Sequence, residues 1–161
     1  MTIINAIETR RTIKAFKPDP VSEADLHKWL TAASYAPNHR MTEPWELLSI
    51  GPVTRAALQH KTDFGGAPVV IGVLSKPAPT PFERDEHVMA VSCYIQNLML
   101  AAHAAGAGVF WSSMGASARN RELLGVPQDY DVIAVLGIGY PADGPAIKER
   151  TPIAGKMTYL P

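Results

Sequence analysis

The chain has 161 residues, of which 47% are apolar and 19% charged, and its 15 basic and 15 acidic side chains cancel. That length and composition suit one globular domain spanning residues 1–161, and the lack of net charge argues against nucleic acid as the main partner. No run of about 18 apolar residues is present to span a membrane. The lone cysteine, Cys93, cannot form an internal disulfide, and no basic region followed by an apolar run opens the chain, so a reducing, cytoplasmic setting is expected.

Ile3, Ile4 and Ile7 follow helical spacing, with Thr2 as a capping residue and an end near Arg10 or Arg11. Pro18 and Pro20 mark an extended connection. A second helix starts after Ser22, with Asp25 placed as in a capping box. Leu26, Trp29, Leu30 and Ala33 form its buried stripe, and Pro37 stops it. Trp45 to Ile50 reads as a strand and Pro52 to His60 as a short helix. Pro68 to Leu74 is a continuous apolar run that fits a central strand.

From Pro81 to about Ala105 the pattern is helical. Glu83, Asp85 and Glu86 sit near its start, where the helix dipole favours acids, and its later part is apolar on most sides. A helix of that kind is buried in a core or at a subunit interface. Gly106 and Gly108 follow it, then a short extended segment from Val109 to Trp111. A short helix spans Arg119 to Leu124, and a second buried strand spans Val132 to Tyr140. The tail from Pro141 onward could not pack alone and therefore frays or lies on something. The whole reads as a mixed class, one sheet with helices around it.

Five segments carry chemistry: Arg10-Arg-Thr-Ile-Lys14, Ala36-Pro-Asn-His-Arg-Met-Thr-Glu-Pro-Trp45, Gly106-Ala-Gly-Val-Phe-Trp-Ser-Ser113, Gly137-Ile-Gly-Tyr-Pro141 and Lys148-Glu-Arg150. The first puts three cations and a hydroxyl behind an apolar segment. It suits either a solvated helix end or a grip on an anionic cofactor.

The five segments, in this order, resemble the nitroreductase family of flavin enzymes, most closely its small bacterial members. The likeness runs from Ile3 to the tail. It implies an α+β fold with a central mixed, mostly antiparallel sheet flanked by helices. It also implies a homodimer with FMN at the interface and the C-terminal tail exchanged onto the partner.

On this resemblance Arg10 pairs with the FMN phosphate, since a guanidinium offers phosphate a bidentate fork. Arg11 adds a backbone contact or a second cation, Thr12 bonds the phosphate or ribityl chain, and Lys14 lies near the pyrimidine edge of the flavin. Lys148 and Arg150 resemble a second phosphate clamp. Pro37, Asn38 and His39 approach the flavin from the partner subunit, and Trp111, Ser112 and Ser113 match the segment that runs along it. The implied activity is hydride transfer from NAD(P)H to FMN and then to nitroaromatic, quinone or similar small acceptors, by a ping-pong mechanism. The other reading is a non-catalytic FMN store or sensor on the same scaffold.

Two departures from the larger family members stand out. Met41 occupies a cofactor-side position where they usually carry asparagine, and methionine cannot supply the amide's hydrogen bonds; Glu43 replaces a usual glutamine. Only Lys61 to Gly66 stands where they carry helices that cover the flavin, which implies a more open site. Elsewhere, Gly106-Ala-Gly lacks the setting of a dinucleotide fingerprint. Cys93 reads as inert core. His60, His87 and His103 lack ligand spacing, so no metal is expected. Ser112-Ser113 lacks a nucleophile turn, and nothing in the sequence pairs Asp63 with Glu83.

Overall fold

The computed structural model describes residues 1–160. Five helices and four strands follow in the order α1 (Ile3–Thr9), α2 (Glu23–Ala33), β1 (Trp45–Ser49), α3 (Pro52–Leu58), β2 (Val69–Ser75), α4 (Pro81–Ala104), β3 (Gly108–Ser112), α5 (Ala118–Leu123) and β4 (Asp131–Gly139). The strands form one sheet in the order β1-β2-β4-β3, and each neighbouring pair is antiparallel. The two continuous apolar runs, β2 and β4, occupy its centre, where both faces are covered. An isolated parallel bridge, Thr12 to Val109, lies against the β3 edge.

The predicted elements all form, with ends shifted by local chemistry. Ser22 caps α2 by accepting from the Asp25 amide at 3.0 Å, and its hydroxyl donates to the Asp25 carboxylate at 2.7 Å. Thr80 and Glu83 repeat the arrangement at α4. Helix α2 ends at Ala33, short of Pro37, because the chain turns through Ser34 to Ala36 first. Helix α3 ends at Leu58, where Gln59 adopts a left-handed conformation.

Helix α4 is the centre of the molecule. It packs against all four strands and against α1 and α2. Its Val91, Tyr94, Ile95, Leu98 and Met99 are buried in the main core with Trp29, Val73 and Leu136. Tyr94 stacks on Trp45 with centroids 5.1 Å apart, and its hydroxyl donates to the Leu30 carbonyl at 3.3 Å. Burial pushes the Tyr94 phenol up to about 12. Cys93 departs from the expectation of inert core. It is half-buried, packing against the main core on one side and lining a surface groove on the other.

The apolar face of α1 is not buried within the chain. Ile3, Ile4 and Ile7 are 77%, 64% and 50% exposed, and only Ala6 is buried. Beyond Pro141 the tail is exposed along its length, including Ile147, Ile153, Met157, Tyr159 and Leu160. No helix among the described residues is long and apolar enough to cross a membrane.

Candidate cofactor site: a cationic cleft and a separate groove

After α1 the chain runs extended, so alternate side chains face opposite ways. Ile13 turns inward and packs with Phe16 and Ala67, while Thr12 and Lys14 turn outward. The Ile13 amide donates to the Val109 carbonyl at 3.2 Å. Gly108 makes room for the docking, since a Cβ there would overlap the Ile13 side chain. The same segment anchors the tail. Lys17 N–H donates to Tyr140 O at 2.8 Å and Ala142 N–H to Ala15 O at 3.0 Å. These bonds bring the chain after β4 back over Arg10.

The result is a cleft of about 360 Å³ lined by Arg10, Arg11, Thr12, Lys14, Lys148 and Arg150, with Asp143 at its wall. Six residues drawn from the two ends of the sequence therefore meet in one cleft. Among the described residues none of the five cations forms an ion pair. The Nε atoms of Arg10 and Arg11 are buried without a hydrogen-bond partner. Burial first, then the charges of Arg11 and Arg150, lowers the Arg10 guanidinium from its ordinary value. Arg11 and Arg150 donate only to backbone carbonyls, and crowded cations with no carboxylate partner are what a phosphate dianion would satisfy, so the residues present fit the phosphate of FMN.

Arg11 has a second task. Its Nη1 donates to the carbonyls of Glu8 at 2.7 Å and Arg10 at 2.6 Å, which ties down the end of α1. Behind the cations, the Thr9 hydroxyl donates to Asn5 O at 2.6 Å and lies 2.9 Å from His103 Nε2. A hydroxyl has one proton, so the imidazole N–H donates to Thr9. Burial, then Arg10 and Arg11, holds His103 below its ordinary pKa.

The second predicted segment lies elsewhere. Pro37, Asn38 and His39 line a groove of about 400 Å³ with Glu86, Met89, Ala90 and Cys93 of α4, and this groove shares no residue with the cationic cleft. The loop is braced from within. Asn38 Oδ1 accepts from the Glu43 amide at 2.9 Å and its Nδ2 donates to Ala36 O at 3.1 Å, so this amide holds the loop. Arg40, Met41 and Glu43 all have φ between 44° and 54°, which non-glycine residues rarely adopt. His39 Nδ1 lies 2.8 Å from Glu86 Oε1.

Four predicted site residues do not join either cavity. Met41 is 73% exposed and lines an adjoining hollow with Tyr35, Glu43 and the groove residues Pro37 and Asn38. Trp111 packs against the main core, the Ser112 hydroxyl accepts from Met114 N–H at 3.4 Å, and Ser113 begins a tight turn. None of the three lines the cleft or the groove within one chain. Sequence reasoning missed Glu86, taken only as a dipole-favoured acid, and Asp143 in the tail. His87 and His103 lie at opposite ends of α4, and no cluster with metal-ligand geometry occurs among the described residues. Asp63 pairs with Arg55 at 2.6 Å, whereas Glu83 accepts from Thr80.

The chain is similar to known proteins over nearly all its length. A Bacillus subtilis (strain 168) protein with the provisional name NAD(P)H nitroreductase YfhC is 32% identical over 179 aligned positions, covering 96% of this chain and 92% of that one. The structure of a nitroreductase-like family protein from Bacillus cereus superposes with a TM-score of 0.91 at 28% identity, covering 99% and 96% of the two chains. A nitroreductase with bound FMN from Bacteroides fragilis shares the fold, with a TM-score of 0.77 at 24% identity over the full length of both. The profile of the nitroreductase family matches residues 7–62 and 51–140, and the chain belongs to that family.

Proposed function

We propose that the chain is an FMN-dependent oxidoreductase that takes hydride from NAD(P)H and reduces nitroaromatics, quinones or similar small acceptors by a ping-pong mechanism. The observation that carries this reading is the division of the site. One face holds five cations without a carboxylate partner around a cleft of about 360 Å³, and another holds the Pro37–His39 groove, which no Lys or Arg lines. A homodimer would set the cleft of one subunit against the groove of the other, with the exposed tail lying on the partner.

In that arrangement Arg10, Arg150 and Lys148 grip the phosphate, with Thr12 beside them. Arg11 adds charge while holding the end of α1. Lys14 stands further along the same extended segment, and its ammonium stabilises negative charge on a ring held beside it. Pro37 and His39 close the groove side, and α4 backs it with Met89 and Ala90. Bound FMN supplies the redox capacity, with hydride in from NAD(P)H and electrons out to the acceptor in the same space.

The test begins with colour. The purified protein should be yellow, or become so with added FMN, and NADPH without oxygen should bleach it. Bound flavin that stays oxidised with either NADH or NADPH would instead favour the store or sensor reading. One observation points toward that alternative: the Asn38 amide is occupied in bracing its own loop, which leaves the groove few side-chain donors for a flavin edge. A colourless chain that cannot be loaded with FMN would overturn both.

A further inference from the structure

His39 and Glu86 form a hydrogen-bonded contact that stability does not explain. The imidazole side chain is 50% exposed, and exposed pairs contribute little. Yet the contact joins the strained 39–43 loop to α4, at the junction of two cavities that both residues line. Strain of this kind persists where the surroundings hold a side chain in a required pose.

The chemistry of the contact fixes more than position. An ionised carboxylate only accepts hydrogen bonds, so the ring nitrogen facing Glu86 carries the hydrogen. That nitrogen is Nδ1. In the neutral ring the other nitrogen, Nε2, then bears a lone pair, and it makes no hydrogen bond among the described residues. Phe82, Thr80, Arg40, Glu83 and His87 surround the neighbouring cavity of about 300 Å³, and none of them bonds to the ring.

We propose that Glu86 is a positioning residue that holds His39 as the Nδ1–H tautomer, so that Nε2 meets an N–H or O–H donor of the molecule in the groove. This rests on the oxidoreductase reading for the identity of that molecule, FMN, whose imide N–H and ribityl hydroxyls are the donors it offers. Glu86 acts through His39 and touches no reactant itself.

The lock is read by nitrogen NMR on the full chain with labelled histidine, where a His39→Gln spectrum assigns the signal. The wild type should show His39 as Nδ1–H. In Glu86→Gln the amide can donate as well as accept, so the ring should move toward Nε2–H, and circular dichroism and melting confirm that the fold is kept. Acceptor kcat/KM should fall in Glu86→Gln by the same factor as in His39→Gln, and the double variant should fall no further. An Nε2–H ring in the wild type would overturn the lock, as would additive losses in the double variant. A wild-type chain that neither binds FMN nor oxidises NAD(P)H would overturn the oxidoreductase reading itself, whatever the tautomer.

Discussion

Arg10 and Arg11 are adjacent in sequence but differ in what surrounds their guanidinium groups. Arg10 has only the Met99 sulfur, 3.9 Å away, beside it, whereas Arg11 donates to two backbone carbonyls. Arg10→Ala should therefore weaken FMN binding by about 1.5–3 kcal/mol, roughly tenfold to a hundredfold, as read by quenching of flavin fluorescence on titration. Arg11→Ala should weaken it less and lower the melting temperature more, because the end of α1 loses its tie. Equal losses in the two variants would contradict the division of roles. The cationic cleft was legible because basic residues in two distant segments have few structural uses in common. Glu86 was not, since an acid in the early turns of a helix is explained by the dipole alone. Only the folded loop shows that it faces His39.

At the scale of elements, the 60–66 connection has its own pH dependence. His60 Nδ1 accepts from the amides of Phe64 at 2.9 Å and Thr62 at 3.3 Å, and its ring stacks on Phe64 at 4.2 Å. The acceptor role needs the neutral ring, and burial, opposed by Asp63, lowers the His60 pKa from 6.5. A base with a depressed folded pKa contributes its full stability above its unfolded pKa. The contribution is lost as pH falls below about 6.5 toward the folded value. Melting temperatures measured on both sides of that window should show a drop in the wild type that His60→Gln largely removes. In the same connection Gly65 has φ +71°, and a Cβ would stand 2.5 Å from the Lys14 carbonyl oxygen. Gly65→Ala should cost about 1–3 kcal/mol in denaturant unfolding and displace Lys14, because both the backbone region and the space exclude a side chain.

Periodicity gave the existence and type of these elements. β2 and β4 stood out as continuous apolar runs, and α4 as a helix apolar nearly all round. Strand order was hidden, since it depends on pairings between residues far apart in sequence. The connection at His60 was hidden too: its left-handed Phe64 is a bulky type that sequence rules do not assign to such a position.

For the whole molecule, the exposed isoleucines of α1 and the apolar side chains of the tail are among the features that one chain does not satisfy. On the proposed dimer they are covered by the second subunit. Ile4→Glu should therefore leave folding cooperative, since Ile4 is 64% exposed in the single chain, yet shift sedimentation from dimer to monomer. Flavin content should fall with it. A monomer that keeps its flavin would show that the cleft works without the groove.

The separation of cleft and groove on one chain has a genetic consequence. An Arg10→Ala chain has a damaged cleft and a sound groove; a His39→Gln chain has the reverse. On the proposed dimer, each alone should form dimers with two faulty sites. Mixed, unfolded and refolded together, half of the dimers should be hybrids, in which one site collects both faults and the other collects none. Two impaired proteins should thus restore about a quarter of the wild-type sites, as random pairing of a two-fold dimer requires. Recovery of activity between lesions so far apart in sequence is intersubunit complementation. It would not occur if each chain built its own complete site.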